Sequence, residues 1–469
     1  MGEYSRLNRE ERELLKWFEE SLVNDRMLFI DVEQFEDIIE LYIEMEKYSK
    51  ALKACDTALA QYPFSVDIML LKSKVYTRTD RLEEALEMLD SASNFQPGDI
   101  EIAMLRGNIC SLQGEYDRAI EIYEEAIERA EEKDELYYNL GLTYQTIGRF
   151  DHAIDVYKQC IELNMYHENA LYELAYCLDV TGKLESSVDY YQKFIDSDPY
   201  SAVAWYNLGI VYSKLKKFDK AIDAYQYAVY IDDDFASAWY NLGNSYMTTD
   251  EFEKAHEAYE KTLDIEGPSA EVYCSLGNAY EKLEDYKSAL KYYHKAIKKD
   301  KLYHEALFSL ALCLNKQDKN FEALHFINKA IEIEPMNADY LVALGQIEYK
   351  AGNYKESIEA FENACNHAPL NADIWLDWSF IYYDLQEFDE ASNVISEAIE
   401  ELPEEAELYY RMTIYLFCEG KYQEAFNYLE NALVLDFEKH TVLYEFFPKV
   451  ETQKALFKII EQFRNNDTE

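Results

Sequence analysis

The sequence predicts an all-α fold, a solenoid of stacked helical hairpins, and three observations carry that expectation. First, AWYNLGNSY at 238 to 246, AWYNLGIVY at 204 to 212 and LYYNLGLTY at 136 to 144 are near copies, spaced by 34 and 68 residues. Second, a 34-residue register begun at Val32 tiles residues 32 to 439 as twelve repeats without insertion or deletion, with starts at 32, 66, 100, 134, 168, 202, 236, 270, 304, 338, 372 and 406. Third, position 20 of that register is small in every repeat: alanine in ten, Ser187 and Ser357 in the other two.

Residues 1 to 31 are expected to form an N-terminal capping helix, because a solenoid must cover the apolar face of its first unit. Leu14, Leu15, Phe18 and Leu22 recur at helical spacing, and Asp31 with Gln34 has the spacing of a capping box at the first repeat. Within a repeat, apolar residues at positions 4, 7, 8 and 11 mark a first helix, as in Trp239, Leu242, Gly243 and Tyr246. A glycine or polar residue at position 15 suits the left-handed turn that stops it. Phe252, Ala255, Tyr259 and Thr262, at positions 17, 20, 24 and 27, mark a second helix.

Small residues at 8 and 20 let the two axes approach, while aromatic residues at 4, 11 and 24 fill the space beside them. Positions 8 and 15 together hold 11 of the 14 glycines, so glycine serves the architecture and not phosphate-cradling loops. Position 32 holds six of the eight prolines, each ending one unit before the next begins. Residues 440 to 469 start as a partial repeat and are interrupted at Pro448. A C-terminal capping helix is expected over 449 to 463, with Val450, Leu456, Ile459, Ile460 and Phe463 on its apolar face.

An apolar content of 49% is ample for a continuous core. Against 92 Asp and Glu stand 45 Lys and Arg, and the formal charge of −47 argues against binding nucleic acid or an anionic membrane surface. It favours a basic partner. No apolar run is long enough for a signal peptide or a membrane span, so a soluble, cytoplasmic chain without membrane insertion is expected. The eight cysteines contain no C-x-x-C pair and read as buried thiols. H-E-x-x-H, G-x-S-x-G and Walker motifs are missing and the histidines share no metal-ligand spacing; no catalytic residue, metal or cofactor is expected.

The 34-residue pattern aromatic-x-x-Leu-Gly-x-x-Tyr, then Ala, then Tyr or Phe, then Ala and Pro, resembles the tetratricopeptide repeat (TPR) family. Arg106 at position 7, Glu348 at position 11, and Asn320, which leaves the usual aromatic one place late at Phe321, depart from it. The resemblance implies a right-handed superhelix whose positions 2, 5, 6, 9, 12 and 13 line a concave groove. It also implies a non-catalytic scaffold that binds a peptide or protein partner there.

On that face stand Tyr138, Tyr172, Tyr206 and Tyr240 at position 5, Asn139, Asn207 and Asn241 at position 6, and Asn244 and Asn278 at position 9. A carboxamide offers a donor and an acceptor to an extended peptide backbone, and tyrosine adds contact area at little entropic cost. These nine residues are the candidate ligand groove. W-Y-N-L-G-N-x-Y is also close to the family's average sequence, so the ladder alone names no ligand.

Position 2 is acidic in nine repeats, and lysine recurs at position 13 as Lys214, Lys282, Lys316 and Lys350, an arrangement that complements the helix macrodipole. The alternative function is a regulatory or carrier subunit of a larger assembly that holds a basic partner through its acidic surface. None of these features specifies an oligomeric state.

Overall fold

The computed structural model describes residues 9–23, 30–446, 458, 460 and 461, and among the described residues the only regular elements are helices. The chain divides into two compact units, Met1–Asp233 and Asp234–Glu469. In the first, a leading helix Arg9–Val23 is followed by six helical hairpins, from Val32–Glu44 with Tyr48–Gln61 to Ala202–Lys214 with Phe218–Ile231. In the second, six more run from Ala236–Thr248 with Phe252–Glu266 to Ala406–Glu419 with Tyr422–Leu435. Short helical turns at Glu438–Thr441 and Val442–Phe446 follow.

The turn inside each hairpin is set by one backbone conformation. All twelve residues at position 15 have positive φ: five are glycines, from Gly182 at 70° to Gly420 at 84°, and seven are not, from Lys216 at 56° to Gln386 at 64°. The left-handed turn thus belongs to the register even where the side chain pays a steric penalty for it. A second device stands at the start of most of the first helices. Position 34, just after the proline column, is the N-cap, and Ser65, Asp99, His167, Ser201, Ser269 and Asn337 each accept a hydrogen bond from a first-turn N–H. The capping box expected at Asp31 and Gln34 does not form, because the Asp31 side chain makes no capping hydrogen bond.

Close packing within a hairpin rests on positions 8 and 24. A Cβ added to Gly107, Gly141, Gly209, Gly243, Gly277 or Gly345 would come within 2.3 to 2.6 Å of the aromatic ring at position 24 of the same repeat. Where position 24 shrinks, position 8 grows: Ser73 goes with Leu89, Ala311 with Ile327, Thr413 with Leu429, and Ile39 with Cys55. The volume of the pair is shared between its members, as a core at crystal-like density requires. The rings of Tyr123, Tyr157, Tyr225, Tyr259 and Tyr293 are at most 2% exposed.

Position 4 is core, as expected, at Phe35, Met69, Leu171, Leu307, Leu341 and Trp375, but not in every repeat. Trp205 and Trp239 are only half-buried. Trp205 Nε1 donates to the Pro199 carbonyl at 3.0 Å, Trp375 Nε1 to the Pro369 carbonyl at 2.9 Å, and the Tyr409 hydroxyl to the Pro403 carbonyl at 2.9 Å. In these three repeats the aromatic at position 4 ties down the loop at position 32 of the preceding repeat, satisfying a carbonyl that a helix cannot. Phe321 does not replace the missing aromatic at position 17, since it is 83% exposed. Arg106 pairs with Asp90 at 2.8 Å, which accommodates a charge at an apolar position.

At the first end, Leu15 and Phe18 are buried against the first repeat, with Phe18 edge-on to Phe35 at 6.1 Å. Glu19 accepts from the Tyr42 hydroxyl at 3.0 Å and from Lys50 at 2.8 Å. The side chain of Leu22 lies outside the described residues. So do Pro448, Val450, Leu456, Ile459 and Phe463 of the expected closing helix; within that stretch Lys458, Ile460 and Glu461 are helical and Ile460 is buried.

Candidate functional site

The candidate residues divide between the two units. In the first, Tyr138 lies between the Tyr157 ring, at 6.1 Å, and the His167 ring, at 4.7 Å, while Asn139 donates its amide to the Glu135 carbonyl of its own helix at 2.7 Å. Both are occupied with their own repeat. Tyr206 is half-buried, with its ring 5.9 Å from that of Tyr225.

Tyr172 and Asn207 do come together. They border a cleft of about 90 Å³ completed by Ala175, Tyr176, Leu184, Tyr191, Ile210, Val211 and Lys214. Helices Glu168–Val180 and Ala202–Lys214 supply its two walls, and Tyr191 from the intervening second helix forms the floor. Tyr172 and Tyr176 are 51% and 44% exposed, whereas Asn207 is only 7% exposed. The Asn207 carboxamide has no hydrogen-bond partner among the described residues. Its polar atoms are not sealed from solvent, so a peptide group entering the cleft would take the place of water there. At the rim, Lys214 is tied to Asp179 of the preceding repeat by an ion pair.

In the second unit the asparagines have structural work. Asn244 Oδ1 accepts the Tyr259 hydroxyl at 2.7 Å, and Asn278 Oδ1 accepts the Tyr293 hydroxyl at 2.8 Å. Asn108 does the same for Tyr123 in the first unit, at 2.7 Å. In these three repeats position 9 satisfies the buried phenol of position 24, so the asparagine oxygen is already engaged. The Tyr240 ring stands 5.6 Å from that of Tyr259, its hydroxyl lies 3.1 Å from Ser275 Oγ, and burial pushes its pKa up to about 12. Asn241 is half-buried.

Tyr176 and Ile210 were not among the expected groove residues, although both sit at position 9 of the inward-facing columns. Neither carries a carboxamide; their place in the register is the signal that marks them. The position-13 lysines Lys214 and Lys316 pair with position-12 acids one repeat back, Asp179 and Glu281, and so stitch neighbouring repeats together.

Sequence profiles described as tetratricopeptide repeat match residues 42–109, 98–164, 138–202, 202–235, 236–267, 270–301, 322–373 and 348–412. The chain belongs to the tetratricopeptide repeat family. As a TPR protein it is a protein-interaction scaffold in the general sense of that family, which is typically non-catalytic. Several solved structures are similar to parts or most of it. YrrB, described as a TPR protein with an unusual peptide-binding site, is 26% identical; the match covers 38% of this chain and 92% of that one, with a TM-score of 0.32. MamA is 34% identical, with coverage of 34% and 95% and a TM-score of 0.32. The APC/C hetero-tetramer Cut9–Hcn1 is 16% identical, with coverage of 88% and 97% and a TM-score of 0.42. No curated protein sequence matches the chain. Among the described residues of this TPR array, no group of three or more His, Cys, Asp or Glu side chains could hold a metal ion. None of its described helices is long and apolar enough to cross a membrane.

Proposed function

We propose that the chain is a non-catalytic scaffold that takes an extended segment of a partner protein along the first-helix face of its repeats, with one contact at the cleft of Tyr172, Tyr176 and Asn207. The observation that carries this reading is the Asn207 carboxamide, buried to 7% exposure, unbonded, and opening into a cleft walled by two exposed tyrosines. A peptide group entering the cleft would give Asn207 both a donor and an acceptor, and the tyrosine faces would cover the flanking side chains. Affinity capture with the wild type and with Tyr172→Ala/Asn207→Ala, followed by titration of the captured protein, tests it. A partner bound at least about tenfold more weakly by the folded double variant supports the cleft, since losing a buried amide pair and an aromatic anchor costs at least ~1.4 kcal/mol. Equal affinity rejects it.

A second reading rests on the net charge of −47: a basic partner held by the acidic surface as part of a larger assembly. Its signature is an affinity that falls steeply with salt and is indifferent to the Tyr172 and Asn207 substitutions.

A further inference from the structure

One helix departs from the acidic character of the chain. The second helix of the eighth repeat, Tyr286–Lys299, carries five lysines and no acid, a net +5. The other second helices of the repeats, summed in the same way, run from −5 to +1. Ala289, Tyr293 and Ala296 form its buried side. At 100° per residue, Lys287, Lys291 and Lys298 stand opposite that side, flanked by His294 and Lys295. All but the half-buried Lys295 are exposed.

Each of the five lysines lacks an ion-pair partner among the described residues. Lys287 interacts electrostatically with Asp285 at the helix N-cap, beyond ion-pair distance, and the other four lysines have no carboxylate within that distance among the described residues. Lys298 and Lys299 in the last turn complement the helix dipole, but Lys287 stands in the first turn, where the dipole disfavours a cation. Helix stability therefore does not account for the row. Lys295 is also held in place, over the rings of Tyr292 at 4.3 Å and Tyr273 at 5.1 Å.

We infer that this face docks an acidic segment of a partner protein, on a surface separate from the first-helix cleft and independent of the reading given to it. The width of the row selects that occupant. The same columns of the preceding second helix hold Glu253, Glu257 and Asp264, and the following one ends on Glu332. A bilayer or a nucleic acid duplex presents a broad anionic surface that meets those carboxylates as well as the lysines. A single strand or helix, about 10 Å across, can lie along the lysines alone. From Lys287 to Lys298 the helix rises about 17 Å, matched by five or six residues of extended chain at ~3.3 Å each.

Fluorescence anisotropy of a labelled hexaglutamate peptide with the full chain tests this, near 0.1 M salt, where the Debye length of about 10 Å lets the peptide sense the row and not the whole molecule. Wild type should bind in a salt-dependent manner, and Lys287→Gln/Lys291→Gln/Lys295→Gln/Lys298→Gln should bind about tenfold more weakly or worse. Lys287→Gln/Lys298→Gln, which disturbs no aromatic contact, should show an intermediate loss, and Tyr172→Ala/Asn207→Ala should bind as wild type. Absence of binding, equal binding by the quadruple variant, or stronger binding of phosphatidylserine vesicles or a DNA duplex would overturn the inference.

Discussion

A Cβ on Gly243 would stand 2.6 Å from Cε1 of Tyr259, closer than non-bonded carbon atoms approach, so an alanine there would force the ring or the helices of that repeat to shift. Gly243→Ala should lower the opening free energy of its repeat by about 1–3 kcal/mol, read by native-state hydrogen exchange. In a Tyr259→Leu background the same alanine should cost much less, because leucine leaves the space that Ser73 occupies opposite Leu89. Equal costs in both backgrounds would mean that the pair does not share its volume.

Position 15 tests backbone geometry without packing. Lys216 holds φ at 56°, and Lys216→Gly should stabilise its repeat by a few tenths to about 1 kcal/mol by relieving the left-handed conformation. Gly148, at φ 73° with open space around its Cβ position, should lose about 1 kcal/mol on Gly148→Ala. Thermal melting of the two variants should move in opposite directions.

Two asparagines of the same ladder should respond oppositely. Asn244→Ala removes the acceptor of the buried Tyr259 hydroxyl, leaving it only Ser275 nearby, and should cost about 1 kcal/mol. Asn207→Ala removes an amide that bonds nothing in the protein, so melting should be unchanged or slightly improved.

Alkaline pH should weaken the fold. Burial pushes the thiols of Cys55, Cys160, Cys177, Cys274 and Cys365 from 9.0 up to about 12, and the phenols of Tyr225 and Tyr240 from 10.0 to about 12. The folded chain therefore holds these protons more tightly than the unfolded one. The stabilisation is complete below pH 9 and is lost as pH rises towards 12. The melting temperature should be flat from pH 7 to 9 and fall above it. At pH 8, thiol reagents should label the native chain slowly and all eight cysteines in denaturant.

The register made the hairpins legible because glycine, alanine and proline recur for steric reasons that one sequence displays twelve times. Contacts that join columns were harder to read. Asn244 and Asn278 looked like ligand groups because their spacing faces the groove, yet hydrogen bonds to Tyr259 and Tyr293 occupy their oxygens. Trp239 looked like core because it is large and periodic; it is half-buried, and its counterpart Trp205 serves the neighbouring loop. The lysine row from Lys287 to Lys298 is plain in the sequence but disappears into a total of −47.

The central claim is that a partner lies on the first-helix face at Tyr172 and Asn207. Photo-crosslinking from benzoylphenylalanine at position 172, compared with position 230, where the native tyrosine is 90% exposed on a second helix of the same unit, tests it most directly. The account predicts that the captured partner is crosslinked from position 172 and not from 230. Adducts from 230 with none from 172 would place the partner on the other side of the repeats and contradict it.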